Sequence, residues 1–144
     1  MKQIDGGIAA PEKFIVGSCA AGIKKRKKDM TVLVSELPAT VAGAFTTNVV
    51  KAAPVVWDQQ IVAGRHPVRA LVVNSGNANA CTGAQGEADV RAMAERVAHQ
   101  IAVSADQVLV CSTGVIGVPL PMQKVLEGID ACLARTDRTL EAAD

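Results

Sequence analysis

The sequence predicts a layered α/β fold, on three observations. In the second half, two segments each run from an apolar strand through a small glycine-containing loop into an amphipathic helix. The first half carries short apolar runs with the alternation typical of β-strands. Alanine and valine account for 24 and 20 of the 144 residues, and such small side chains let sheets and helices approach closely. A strand–loop–helix order that occurs twice is typical of α/β layer structures.

Four strands are predicted in the first half. Phe14–Ala21 is an apolar run, and Met30–Leu37 alternates apolar and polar residues. Val41–Thr47 and Pro54–Trp57 have similar patterns, with prolines at the strand boundaries.

The second half predicts two strand–helix units. Ala70–Asn74 and Val108–Ser112 are continuous apolar runs of strand length, typical of strands buried on both faces. Each is followed by a predicted loop, Ser75–Cys81 in the first unit and Thr113–Val118 in the second. If the two strands pair, a connecting helix favours a parallel crossover.

Both helices are predicted from apolar stripes. Thr82–Gln85 fits a capping box that would begin the first helix, and Gly86 suggests close packing in its first turns. His99 is expected on the solvent side. Pro119 and Pro121 suit the start of the second helix. The first stripe consists of Val90, Met93, Ala94, Val97, Ala98 and Ile101, and the second of Met122, Val125, Leu126, Ile129, Cys132 and Leu133.

Composition excludes several classes of protein. Charged residues make up 20% and the formal net charge is +1, unlike a disordered or supercharged chain. Three aromatic residues, Phe14, Phe45 and Trp57, are too few for a platform on which nucleic-acid bases stack. The five cations of Lys24–Lys28 are interpreted as a solvated hairpin loop, with a nucleic-acid patch or nuclear address as the alternative. The length suits a single domain over residues 1–144.

Cysteine usage and hydropathy favour a protein of the cytosol or an organelle matrix, and we predict a cytoplasmic protein without a metal site. No apolar run reaches the ~18 residues of a membrane span, and the first residues lack a signal-peptide core. The four cysteines lie far apart, without a C-x-x-C pattern or a histidine at ligand spacing. We interpret them as reduced, mostly buried thiols, and the alternative is one reactive thiol at Cys81 or Cys111.

The two strand-to-helix loops are the candidate binding sites. Free N–H groups at a helix N-terminus favour anions, and ligands gather at the carboxyl ends of strands. Neither loop matches a phosphate-binding pattern, so a structural role is an equal alternative. His66 lies in a turn-like stretch without an evident nucleophile, and Glu12, Asp58 and Asp106 are expected to be solvated.

Three segments resemble the N-terminal part of the ornithine acetyltransferase family, the bifunctional glutamate N-acetyltransferases of arginine biosynthesis. They are Thr46–Val55, Val72–Gly83 and Ser112–Met122, which contain the runs N-S-G-N-A-N-A-C-T-G and S-T-G-V-I-G. Gly7–Pro11 and Ala20–Lys24 also fit. The resemblance covers almost the whole chain in one register.

The resemblance implies an activity and an assembly. The family moves an acetyl group from N2-acetylornithine to glutamate, and many members also use acetyl-CoA as a substrate, so no cofactor is expected. One precursor cleaves itself before a threonine, which becomes the N-terminal nucleophile and forms an acetyl-enzyme. The two chains assemble as an α2β2 heterotetramer. The implied fold is the layered α/β/β/α sandwich shared with certain N-terminal-nucleophile aminopeptidases, incomplete in this chain.

By the same resemblance, Thr113 and Gly114 match the oxyanion-hole pair of the family. A hydroxyl and a backbone N–H can be aimed at the charge that develops during acetyl transfer. The alternative for Thr113 is a turn or helix N-cap. Asn74, Asn77 and Asn79 are expected to support the loop backbone rather than bind substrate.

No segment matches the family's nucleophile and self-cleavage site, which come after the region resembling Leu140–Asp144. We therefore expect the N-terminal part of an acetyltransferase, inactive by itself because covalent catalysis needs the nucleophile. Its expected partner is the C-terminal β chain of the same precursor. We expect binding neither to nucleic acid nor to a membrane. The alternative is a non-catalytic module of the same fold, used for assembly or small-anion binding.

Overall fold

The computed structural model describes residues 7–136, which include one mixed four-stranded sheet. The first two neighbouring pairs of strands are antiparallel and the third pair is parallel, as expected for the last two strands. In their order across the sheet the strands are β1 (Phe14–Cys19), β2 (Met30–Ala39), β3 (Val68–Asn77) and β4 (Val108–Val115).

Three α-helices accompany the sheet: α1 (Ala53–Gly64), α2 (Gly83–Gln100) and α3 (Met122–Leu133). α2 lies over β3 and β4, α3 lies over β1 and β2, and these two helices pack against each other. They therefore cover the same face of the sheet. α1 packs against β4 and α2 instead, at the outer edge of the sheet.

The core lies between the sheet and the two covering helices. Val32, Val72 and Val110 are aligned across β2, β3 and β4, and each is fully buried. Both helices turn their predicted apolar stripes towards this row. The buried stripe residues are Val90, Met93, Ala94, Val97 and Ala98 of α2 and Val125, Ile129 and Cys132 of α3. Methionine is the largest fully buried residue type, which permits a close approach between the layers.

The opposite face of the sheet has a row of leucines. Leu33, Leu71 and Leu109 are aligned across β2, β3 and β4 and are partly exposed. The described residues thus supply one sheet with one helical layer on it. This confirms the mixed α/β class and agrees with a layered fold that is incomplete in this chain.

Two of the predicted strands are wrong. Val41–Thr47 forms no regular structure, and most of its residues are exposed. The strand-like residue pattern of this segment does not produce a strand, because no described strand pairs with it. Pro54–Trp57 lies in the first turns of α1, where the lack of an amide hydrogen at Pro54 costs nothing.

The basic run lies in the connection between β1 and β2, as predicted. The cations 25–28 are exposed. The carboxylate of Asp29, which is only 3% exposed, accepts hydrogen bonds from the Ala21 amide at 2.6 Å and the Lys24 amide at 2.8 Å. The Asp29 carbonyl accepts a further bond from the Ser75 amide at 2.8 Å. A buried acid therefore organises the loop that carries the cations.

The predicted capping box of α2 is wrong. Thr82 stands at the N-cap, but its hydroxyl donates to Asn79 Oδ1 at 2.6 Å rather than accepting from the helix. The Gln85 side chain instead bonds to Asp89 at 2.8 Å. Close packing at Gly86 is confirmed, because a Cβ there would collide with Thr82 and Asn79. The Asn79 amide occupies the space over this glycine and so diverts the hydroxyl.

Candidate functional site

Thr113 and Gly114 lie in the last residues of β4, beside Ser75 and Gly76 of β3. The sequence predicted a loop at these two residues, and this is wrong. They belong to β4 because its parallel pairing with β3 continues to Asn77. Gly114 has φ +134° and Gly76 has φ +107°, conformations that L side chains rarely adopt. A Cβ on Gly114 would also collide with the backbone of Gly76 and Asn77. Glycine is therefore required where the two strands come into contact.

Side chains of α1 cover part of the outer edge of β4. The indole Nε1 of Trp57 donates to the Val108 carbonyl at 2.9 Å. The backbone N–H of Val110 donates to the Asp58 carboxylate at 2.9 Å. The backbone groups of residues 108 and 110 therefore point away from β3.

The alternation of a strand extends this pattern to the end of β4. Backbone groups of every second residue point to the same edge. By this alternation the amide of Gly114 is expected on the outer edge with that of Val110, and the carbonyl of Val115 on the inner side, where it accepts from the Ala78 amide at 2.8 Å. The Thr113 side chain lies on the leucine face and is exposed. The exposed Thr113 hydroxyl on the leucine face is thus followed directly along the chain by the exposed Gly114.

A polar network joins the ends of the two parallel strands. The Ser112 hydroxyl donates to the Asn77 carbonyl at 3.1 Å and accepts from the Asn79 amide at 2.9 Å. Together with the bond between Ala78 and Val115, these contacts fix the inner side of β4. The outer side next to Thr113 and Gly114 is therefore held in place without being covered.

The three asparagines have the structural role that the sequence favoured. Asn74 Nδ2 donates to the Asn77 carbonyl at 2.7 Å, and Asn77 Nδ2 donates to the Pro119 carbonyl at 3.1 Å. Asn79 Nδ2 donates to the Gly86 carbonyl at 2.8 Å. All three side chains are buried, and they support the loop backbone.

Asp58 was expected to be solvated, and this is wrong. It is only 9% exposed, because α1 lies against β4 where the sequence predicted a strand. Burial raises the pKa of Asp58 to about 6, although the hydrogen bond from Val110 acts in the opposite direction. Glu12 and Asp106 are exposed, as expected.

The cysteines divide into two pairs. Cys19 and Cys132 are buried, whereas Cys81 and Cys111 are exposed. Desolvation of the sulfur, and then the negative charge of Asp58, raise the pKa of the Cys111 thiol. This disfavours Cys111 as a reactive thiolate.

The remaining candidates do not form a second site. His66 and His99 are exposed, the first in the turn after α1 and the second on α2. Within residues 7–136, no cluster of three or more His, Cys, Asp or Glu side chains is suited to a metal ion. None of the helices in that range is long and apolar enough to cross a bilayer.

A cleft of about 690 Å³ lies between α1 and the first half of α2. Lys51, Cys81 and Glu87 are among its lining residues, and Arg91 lies over the Trp57 ring at 5.6 Å from its centroid. Sequence reasoning missed this cleft because it predicted a strand where α1 lies. The cleft does not include the Thr113–Gly114 pair.

The fold and the site define an α/β protein with exposed hydrogen-bond donors at the carboxyl ends of two parallel strands. Residues 15–144 match the model of the ArgJ family. The "Arginine biosynthesis bifunctional protein ArgJ" of Caldanaerobacter subterraneus subsp. tengcongensis is 51% identical over 130 residues, which cover 90% of this chain and 32% of that protein. The protein of the same name from Gloeobacter violaceus is 46% identical over 142 residues, 97% of this chain and 35% of that protein. The chain belongs to the ArgJ family.

Two solved structures share the fold. The ornithine acetyltransferase of Mycobacterium tuberculosis, solved in complex with ornithine, is 42% identical with a TM-score of 0.90, over 95% of this chain and 74% of that chain. ArgJ of Bacillus halodurans is 36% identical with a TM-score of 0.89, over 96% of this chain and 71% of that chain. The chain spans about a third of the length of the curated relatives it matches.

Proposed function

We propose that the chain is the N-terminal part of an acetyltransferase that moves an acetyl group from N2-acetylornithine to glutamate through an acetyl-threonine enzyme. One observation carries the proposal. The exposed residues Thr113 and Gly114 are adjacent in the last residues of β4, beyond the part of the strand that Trp57 and Asp58 of α1 contact. Membership of the ArgJ family supports the choice of reaction.

The proposed role of the two donors is to form an oxyanion hole. A nucleophilic threonine attacks the acetyl carbonyl, and the carbonyl oxygen takes the negative charge of the tetrahedral intermediate. Collapse of this intermediate releases ornithine and leaves the acetyl-enzyme, which the amine of glutamate attacks next. Both steps place charge on the same oxygen, and donors already aimed at it need no reorganisation.

The nucleophile belongs, in this proposal, to the part of the longer relatives that this chain does not match. We propose that self-cleavage of a precursor frees that threonine and that the resulting C-terminal β chain pairs with this chain in an α2β2 assembly. The partly exposed leucine row supports a second sheet on that face of the α/β/β/α sandwich. Exposed Val115, Ile116 and Val118, beside the open edge of β4, support a covering partner there.

Three features of the proposal stay predictions from the resemblance. They are acetyl-CoA as a second acetyl donor, the lack of a cofactor and the α2β2 assembly, while the cytoplasmic location stays a prediction from cysteine usage and hydropathy. The assignment of the chain as one domain of the larger enzyme also belongs to the proposal.

The decisive test is Thr113→Ala in a full-length protein that contains this chain, assayed for acetyl transfer from N2-acetylornithine to glutamate. Loss of one oxyanion donor costs ~2.7–4 kcal/mol, so kcat is expected to fall roughly 10²–10³-fold with an unchanged melting temperature. Thr113→Ser keeps the hydroxyl and is the matched control. Wild-type turnover in Thr113→Ala would contradict the oxyanion role. Absence of both acetyl transfer and a companion chain beginning with threonine would favour a non-catalytic module.

A further inference from the structure

Cys19 and Cys132 bring two thiols together inside the core. They are 113 residues apart in the sequence, yet their Sγ atoms lie 3.4 Å from each other. Cys19 is 6% exposed and Cys132 is fully buried. Neither residue takes part in the proposed acetyl transfer.

Two glycines allow this approach. A Cβ on Gly17 of β1 would collide with the backbone carbonyl of Cys132 on α3. A Cβ on Gly128 would lie 2.6 Å from the Ala21 Cβ and 2.9 Å from the Met30 Cγ. Because both glycines lack that atom, the backbone of α3 can lie directly against the sheet, and the two sulfurs meet.

Both thiols lie within hydrogen-bond distance of a backbone carbonyl, and the Cys19 thiol donates to the Gly128 carbonyl at 3.3 Å. The Cys132 thiol donates towards the Cys19 sulfur and also lies 3.5 Å from the Met30 carbonyl. Burial, and then the hydrogen bond to Cys19, hold the pKa of the Cys132 thiol well above its usual range. Cys19 is the less buried of the two thiols, at 6% exposed against a fully buried Cys132, and is therefore the sulfur that a small oxidant reaches first.

We propose that Cys19 and Cys132 form a redox modification site, at which hydrogen peroxide converts the two thiols into a disulfide between β1 and α3. The Cys19 sulfur attacks one peroxide oxygen, the O–O bond breaks, and the departing hydroxide leaves as water with the Cys19 proton. The product is a sulfenic acid on Cys19. The Cys132 sulfur then attacks the Cys19 sulfur, and the expelled hydroxide takes the Cys132 proton and leaves as a second water.

The geometry requires a small movement. A disulfide bond is about 2.05 Å long, so the sulfurs must approach by about 1.4 Å. The same bond would join an edge strand to the last described helix and close a loop of more than a hundred residues. Such a closure restricts the unfolded chain and stabilises the folded one. The inference does not depend on the proposed acetyl transfer.

The test is oxidation of the reduced protein with hydrogen peroxide under native conditions, followed by trapping of free thiols with N-ethylmaleimide and peptide mass spectrometry. The expected result is a Cys19–Cys132 cross-linked peptide that dithiothreitol removes, with a higher melting temperature for the oxidised protein. The double variant Cys81→Ser/Cys111→Ser is the matched control and is expected to form the same link.

Two results would overturn the proposal. One is oxidation of Cys81 and Cys111 in the native wild-type protein without any link between the buried pair. The other is a link that forms only in urea, where the chain is unfolded. Cys132→Ser is expected to abolish both the link and the rise in melting temperature. If Cys132→Ser does not fold, Cys19→Ala replaces it and is expected to give the same result.

Discussion

The carboxylate of Asp58 on α1 accepts a hydrogen bond from the backbone amide of Val110 on β4, at 2.9 Å. The preceding residue, Trp57, donates to the Val108 carbonyl on the same edge at 2.9 Å. Two successive side chains thus provide the acceptor and the donor that a further strand would provide. An uncovered edge invites pairing with another chain. α1 contacts the first half of this edge, and within residues 7–136 the end of β4 at Thr113–Val115 is exposed.

Removal of the acceptor is expected to destabilise the protein. At pH 4, where the folded protein holds the Asp58 carboxyl protonated because its pKa is raised to about 6, Asp58→Ala leaves the buried amide of Val110 without a partner, which costs about 1–3 kcal/mol. The free energy of unfolding in urea measures this loss. Glu95→Ala, on the exposed side of α2, is the control and is expected to have little effect. Equal stabilities of the two variants would contradict a structural role for the bond.

The raised pKa of Asp58 predicts a loss of stability with rising pH. Its value is 3.8 in an ordinary environment and about 6 in the folded protein. Folding therefore favours the protonated carboxyl of Asp58. The stability that this carboxyl contributes is fully present below pH 4 and is lost as the pH rises through 6. The difference amounts to about 3 kcal/mol at most.

Asp58→Asn isolates this effect, because the amide oxygen still accepts from Val110 but carries no charge. The variant is expected to be more stable than the wild type at pH 7, with a difference that shrinks towards pH 4. Thermal unfolding between pH 4 and pH 8 measures it. A constant difference across this range would rule out titration of Asp58 as the cause.

Gly17→Ala is expected to push α3 away from β1. The added methyl meets the Cys132 carbonyl, and overpacking of this kind costs typically 1–3 kcal/mol. Faster labelling of Cys132 by N-ethylmaleimide in the native protein would report the displacement. Gly22→Ala is the control, since it has φ +81° but no atom within 4 Å of an added Cβ. It is expected to lose stability through backbone strain and to leave the labelling of Cys132 unchanged.

The ion pair between α2 and α3 predicts that the folded protein loses stability in acid. Arg96 bonds to both carboxylate oxygens of Asp130, at 2.7 and 2.5 Å, and Gln100 adds a bond at 2.9 Å. These contacts, with that from Arg96 the largest, lower the pKa of Asp130 below its ordinary 3.8. The ion pair therefore contributes fully to the folding stability above pH 3.8. This contribution is lost as the pH falls through the lower pKa that Asp130 has in the folded protein.

Asp130→Asn measures this contribution. The melting temperature of the variant is expected to lie below that of the wild type at pH 7 and to converge with it in strong acid. Glu127→Gln, an exposed change on the same helix, is the matched control and is expected to follow the wild type. Parallel melting curves at every pH would show that the ion pair adds nothing.

Much of the core could be predicted because it follows from periodicity. The stripe from Val90 to Ala98 and that from Val125 to Cys132 are buried in α2 and α3 as the spacing requires. The central strands were also recognised from their apolar runs, although Leu71 and Val73 in Ala70–Asn74 are only partly buried because the described residues cover one face of the sheet. The motif resemblance identified the family, and the assignment of Thr113 and Gly114 as a catalytic pair stays a prediction from that resemblance.

The errors lie where a contact with another element overrides the local pattern. Pro54–Trp57 reads as a strand, but its helix is favoured because Trp57 and Asp58 both reach β4. The Thr82 hydroxyl does not cap the helix because it donates its hydrogen bond to the Asn79 side chain instead. Neither contact has a signal in the neighbouring sequence.

The sequence by itself determined the family, the apolar faces of α2 and α3 and the strand segments, because each of these depends on residue identity and spacing along the chain. The tertiary structure decided which groups of β4 are free. Thr113 and Gly114 are exposed whereas α1 contacts β4 at Val108 and Val110, and Cys19 meets Cys132 because two glycines let a helix lie on the sheet. These properties are distances between segments far apart in the sequence, and such distances are set only when the whole chain packs.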